Sequence, residues 1–253
     1  MSETTQDPGG EQPYDLRFYF DPVCPFCWMT SQWVRQVREA KSYRVEWRFI
    51  SLRIVNKDVD YDAHFPPEYE DGHTAGKKLL RICAAAREAG GNDAVDALYE
   101  ALGTQVWETE PTDWTEQIDR LADWARPLLQ EAGLDPTWVD AIDDDAWDAQ
   151  LGRETEEALD AAGRDVGTPI IQVDPPDGLA FFGPVISRRP TDEQAAELWD
   201  HVTALMRFGG FAELKRSLRE LPQLRGLGVG KDEVGKTEDW HGGSRRLKSD
   251  RDD

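Results

Sequence analysis

Hydrophobic and polar positions alternate from residue 16: Leu16, Phe18 and Phe20 fall on one side, Arg17 and Tyr19 on the other. That period of two predicts a half-buried strand, ending at Asp21-Pro22. The period then changes. PFCWMTSQWVRQVREA places Cys27, Thr30, Val34 and Val37 on one stripe and Gln32, Arg35, Gln36 and Arg38 largely elsewhere, the spacing of an amphipathic helix. Pro25 suits its first turn, where a missing N–H costs nothing. Alternation returns through Val45, Trp47 and Phe49 in YRVEWRFISLRIV. A strand, a helix and a strand at this spacing favour a parallel pair with a right-handed crossover, half of an α/β sheet.

From Pro66 to about Gly163 the strand signal gives way to helical patterns, such as Leu79, Leu80, Cys83 and Ala86, then Val95, Leu98, Tyr99 and Leu102. Strand character resumes after Thr168-Pro169 with Ile170, Ile171 and Val173, turns through DPPDG, and continues in LAFFGPVIS, close enough for a hairpin. The last helix, DEQAAELWDHVTALMRF, has Thr191 three residues before Gln194, which predicts a capping box. The order is βαβ, helices, ββα. Residues 14–65 and 164–221 then form an α/β domain, 66–163 an all-helical insertion, 1–13 a disordered leader and 222–253 a flexible, solubilising tail, the last two from their polar, Gly-rich composition.

Charge removes some partners. The chain has 253 residues, 29 Lys+Arg against 50 Asp+Glu, and a net charge of -21, so nucleic acid and anionic membranes are repelled. MSETTQDPGGEQP lacks a basic segment leading into an apolar run, and no stretch approaches the roughly 20 apolar residues of a membrane span, so a cytoplasmic location is expected. In a reducing compartment a lone CxxC points to catalysis or metal binding rather than to a structural bridge. Homodimerisation is left open.

CPFC at a helix start has a definite chemistry. The sulfur of Cys24 falls near the first free N–H groups of the helix, whose partial positive charge favours the thiolate, the attacking species. Cys24 is the predicted nucleophile. Cys27, one turn deeper on the same side, is the predicted resolving thiol. Phe26 supplies an apolar surface beside the reactive sulfur. With no basic side chain between the cysteines, a moderate redox protein is expected rather than a strong oxidant. Competing readings are weaker: a disulfide closing so small a loop removes little unfolded-state entropy. Zinc needs about four ligands, and Cys83, His64, His73, His201 and His241 stand at no familiar spacing from the pair. Cys83 sits on the apolar stripe of LLRICAAA and reads as a buried, inert thiol. If the third strand lies beside the CxxC helix, a cis Thr168-Pro169 bond would turn the backbone of Thr168 toward an incoming disulfide.

CPFC after a strand, VGTP before a strand and a helical block between them resemble the thioredoxin-like DsbA family. More narrowly, DPVCPFCWMTSQW, SLRIVN, DVGTPIIQV, FFGPVISRRP and ELKR are similar to its cytosolic mycothiol-dependent reductases, known for nitroreductase activity, over roughly residues 14 to 221. The resemblance implies a thioredoxin-like fold with an inserted all-helical subdomain, Cys24 and Cys27 as the redox pair, and Pro169 as the family's cis-proline. It also implies a substrate cleft lined by Asn56 and Tyr69, alongside Phe26 and Thr168. The family often has Trp where this chain has Phe26, so the indole N–H is missing. Mycothiol is the implied reducing co-substrate. No tightly bound cofactor is expected, since no glycine-rich nucleotide loop follows the first strand. Two alternatives remain: a mycothiol-linked transferase or isomerase of the kappa-class kind, whose relatives tend to carry Ser at the first position, and a metal-binding or redox-sensing module.

Overall fold

The computed structural model describes residues 14–66 and 68–240; the predicted leader, His241 and the end of the predicted tail lie outside them. The first strand, β1 (Leu16–Phe20), runs parallel to β2 (Val45–Phe49), Leu16 opposite Val45 and Phe20 opposite Phe49, with α1 (Pro25–Lys41) as the crossover. The stripe of Cys27, Thr30, Val34 and Val37 is buried throughout. Next come α2 (Leu52–Val55), α3 (Tyr61–His64), the long α4 (Glu68–Trp107), α5 (Trp114–Gln117), α6 (Leu121–Glu131), 3-10 turns over Pro136–Asp143, and α7 (Asp148–Ala162). Gly91, at φ 69°, divides α4 into two helical segments, a conformation open chiefly to glycine. Strands β3 (Ile170–Val173) and β4 (Ala180–Phe182) form the expected hairpin, with β3 antiparallel to β1, and α8 (Asp192–Met206) packs on α1. The sheet order β2-β1-β3-β4 is the thioredoxin-like arrangement implied by the resemblance, with a large helical region attached.

The core is aromatic and spans sheet and helices together. Phe20 stacks on Tyr99 of α4 at 3.8 Å, and Trp28 of α1 meets the same ring edge-on at 5.7 Å. Gly103 permits this approach: a Cβ there would lie 2.1 Å from the Trp28 ring. Arg35 lies over Trp47, 4.7 Å from the ring, and pairs with Asp96 of α4. The helices α1 and α4 are thus locked against each other.

Four expectations are corrected. Tyr19 does not sit on a solvated face: it is buried with Ile50, Ala158, Leu159 and Ile170, because α7 covers that side of the sheet. The 66–163 block is therefore not all insertion, since its last helix supplies a layer of the α/β domain. Thr191 does cap α8 by position, but its hydroxyl makes no capping bond; it reaches the Gln194 side-chain oxygen at 3.4 Å instead. The tail prediction fails for residues 222–240. There β5 (Leu218–Glu220) pairs antiparallel with β6 (Thr237–Asp239), and Leu224, Val229 and Trp240 are buried. Polar, Gly-rich composition hid these few apolar anchors, and only glycine fits at 235, where a Cβ would meet the Leu221 carbonyl oxygen at 2.0 Å.

Candidate active site

The β1–α1 turn sets the reactive geometry. Cys24 N–H donates to the Asp21 carbonyl at 3.0 Å, which places Cys24 at the N-cap of α1 with extended backbone, followed by Pro25 in the first turn. Its sulfur accepts from the Cys27 N–H at 3.3 Å and lies 3.1 Å from the Thr168 hydroxyl. Burial works against a thiolate at Cys24, but hydrogen bonds from the Cys27 side chain, from Thr168 and from the Cys27 backbone outweigh it, so its pKa falls below that of an ordinary thiol. Cys27 goes the other way. Burial, its hydrogen bond to Cys24 and repulsion from a charged Cys24 hold its pKa well above the usual thiol range. The two sulfurs thus differ in charge preference, Cys24 toward the thiolate and Cys27 toward the thiol. Cys83, far up α4's apolar stripe, is pushed up to about 12 by burial.

Cys24 opens onto a cleft of about 910 Å³ between the sheet domain and the helices. Phe26, Thr168, Asn56, Tyr69, His73, Trp107 and Trp114 all line it, with the Thr168 hydroxyl beside the Cys24 sulfur. Asn56 ends α2, its side-chain amide donating to the Leu52 carbonyl at 2.8 Å. Tyr69 stacks on Phe65 at 5.4 Å, nearly parallel, and meets His73 edge-on. His73 is neutral: burial, aided by nearby Arg53, pushes it down to about 4, and its Nδ1 is 2.9 Å from the Tyr61 hydroxyl. Cys27 and Pro169 lie behind the cleft surface rather than on it. Pro169, after a cis bond, accepts the Gly183 N–H through its carbonyl at 2.8 Å. Among the described residues, no three His, Cys, Asp or Glu side chains are grouped to hold a metal ion.

Sequence reasoning missed Asp21 and Trp240. Asp21, read only as a strand end, is fully buried beneath the site, accepting N–H groups from Val23 at 3.1 Å and Leu52 at 2.8 Å. Burial raises it to about 7 against the pull of those two bonds. In the unfolded chain it ionises near pH ~4. Its contribution to stability is therefore complete below that pH and is lost as pH rises through about 7, with a slope of at most about 1.4 kcal/mol per pH unit. Urea unfolding at about pH 5 and about pH 8 is expected to show a smaller loss for Asp21→Asn than for wild type. Equal losses would place the titration elsewhere. Trp240 was concealed in the supposed tail; a tryptophan in an otherwise polar segment was the available signal.

A family model, the Rv2466c-like mycothiol-dependent nitroreductase Rv2466c, matches residues 23–216, which include the CPFC turn, Asn56, Tyr69 and Thr168-Pro169. The chain belongs to this family. An uncharacterised Mycobacterium tuberculosis protein, Rv2286c, is 30% identical over 199 residues, 79% of this chain and 80% of the relative. Among solved structures, a thioredoxin-like oxidoreductase from Silicibacter pomeroyi is 17% identical with a TM-score of 0.44, covering 76% of this chain and 88% of that one. The cytosolic disulfide reductase DsbM from Pseudomonas aeruginosa is 17% identical with a TM-score of 0.40, covering 75% and 96%. This Rv2466c-like protein is a thiol-dependent oxidoreductase carrying a Cys24–Cys27 pair. No helix among the described residues is long and apolar enough to cross a membrane.

Proposed function

We propose that the protein reduces small electrophilic substrates of the nitroaromatic kind, with mycothiol as its reducing co-substrate and no tightly bound cofactor. The observation that carries this is the asymmetry of the pair: Cys24, favoured as thiolate, faces a mostly apolar cleft, and Cys27, favoured as thiol, sits behind it. In the oxidised form a small thiol attacks the Cys24–Cys27 disulfide, forms a mixed disulfide on Cys24 and frees Cys27. A second thiol releases the mixed disulfide, which restores the dithiol and yields the small-molecule disulfide. The dithiol then carries two electrons and two protons, given up to the electrophile as the pair closes. Phe26, Asn56, Tyr69 and Thr168 bind substrate in this reading, and Pro169 holds the Thr168 loop in place.

The test is turnover of a nitroaromatic dye by purified protein, comparing mycothiol and its reductase with glutathione and its reductase. Activity is expected with mycothiol only and is expected to vanish in Cys24→Ser. Equal rates with glutathione would sink the choice of thiol; activity surviving in the variant would sink the mechanism.

A further inference from the structure

The cleft wall beside Phe26 is not built by the matched part of the chain. It comes from residues beyond 216, where the family match ends: Leu221, Gly226, Leu227 and Trp240 all line the cleft. This strap is fastened to both lobes. On the helical side a Cβ on Gly226 would lie 2.3 Å from the Val106 carbonyl oxygen, and Arg225 pairs with Glu110 at 2.7 Å. On the sheet side Gln223 N–H donates to the Ser187 carbonyl at 2.8 Å, and Glu220 accepts from the Ser187 hydroxyl and from Arg188, both at 3.1 Å. At its far end Trp240 stands edge-on to Phe26, with ring centroids 5.0 Å apart at 74°. The Arg219 guanidinium lies 5.6 Å from the Phe26 ring, 5.8 Å from Phe182 and 5.9 Å from Trp240, and so joins strap, sheet and active-site helix.

Cys24 is only 4% exposed and lines the same cleft as the strap. A volume of about 910 Å³ holds a small ligand. A disulfide still embedded in a folded chain would have to bring its flanking backbone past Trp240 and Leu227, which line the cleft.

We infer that the strap is a specificity determinant: it restricts Cys24 to small disulfides and small electrophiles and excludes protein disulfides, with Trp240 setting the width of the opening beside Phe26. This rests on Cys24 being the nucleophile, as proposed above. In the reaction at issue the Cys24 thiolate attacks a substrate disulfide, forms a mixed disulfide and expels one thiolate. Cys27 then gives up its proton and attacks Cys24, closing the pair and releasing the second thiol; the protein is oxidised by two electrons and the substrate reduced by two.

The test uses chemically reduced full-length protein without mycothiol, so it is independent of the physiological thiol. Its single-turnover oxidation is timed with bis(2-hydroxyethyl) disulfide and with insulin. Wild type is expected to react with the small disulfide and at least tenfold more slowly with insulin. In Trp240→Ala, and separately in Arg225→Glu, which sets like charges between the exposed strap and Glu110 without touching the core, the insulin-to-small-disulfide rate ratio is expected to rise at least fivefold. Trp240→Phe, which keeps a ring against Phe26, is expected to hold the wild-type ratio. The inference is overturned if wild type reacts with insulin as fast as with the small disulfide, or if the ratio is unchanged in both opening variants, whatever happens to their melting temperatures. Reaction of Cys24→Ser at the wild-type rate would instead overturn the assignment of the nucleophile.

Discussion

Replacing Cys24 with serine is expected to lower turnover by about a thousandfold or more, to the uncatalysed background. A serine hydroxyl at this N-cap cannot ionise at neutral pH and cannot form or release a disulfide, so the hydrogen bonds from Cys27 N–H and Thr168 would have no reactive anion to stabilise. Cys27→Ser is expected to fail differently. Its Cys24 still attacks, because the backbone N–H of residue 27 and the Thr168 hydroxyl remain, but nothing displaces the attached thiol. Intact-mass spectra after incubation with the oxidised small thiol should show one adduct on Cys27→Ser and none on Cys24→Ser. The opposite pattern would exchange the roles of the two cysteines.

Thr168→Val is expected to cost roughly tenfold in the rate of attack at neutral pH. The hydroxyl, 3.1 Å from the Cys24 sulfur, favours the charged form, and hydrogen bonds to charged groups are worth about 1.5–3 kcal/mol. Losing this bond should raise the Cys24 pKa toward the ordinary thiol value. The pH at which alkylation by iodoacetamide is half-maximal reports the shift directly. Thr168→Ser, which keeps the donor, should retain the wild-type profile. An unmoved profile in Thr168→Val would mean that the α1 N–H groups and Cys27 alone hold the thiolate.

The limits of sequence reading show in particular residues. Leu16, Phe18 and Phe20 were legible as a strand because alternation is a local property, but the burial of Tyr19 was not, because the helix covering it comes more than a hundred residues later. Asp21 looked like punctuation before a proline. Its protonation near pH 7 follows from burial beneath α2 and α4, where a Cβ on Gly76 would approach its carboxylate to 2.5 Å. The strap misled for the converse reason: its Gly and charged residues have the composition of a tail, while its hold depends on a few anchors meeting surfaces built elsewhere.

By itself the sequence determined that a strand turns into a helix at CPFC, that a parallel strand follows, that a hairpin and helix close the sheet, and that Cys24 stands at the helix's N-terminus. All of these depend on periodicity and on neighbours a few residues apart, where backbone geometry leaves little choice. Only the tertiary structure decided that Thr168, 144 positions away, would meet the Cys24 sulfur, that Asn56 and Tyr69 would line the same cleft as Cys24, and that Trp240 would stand against Phe26. Those contacts join segments whose approach is set by packing of the whole aromatic core, and no local pattern along the chain encodes which surfaces that packing brings together.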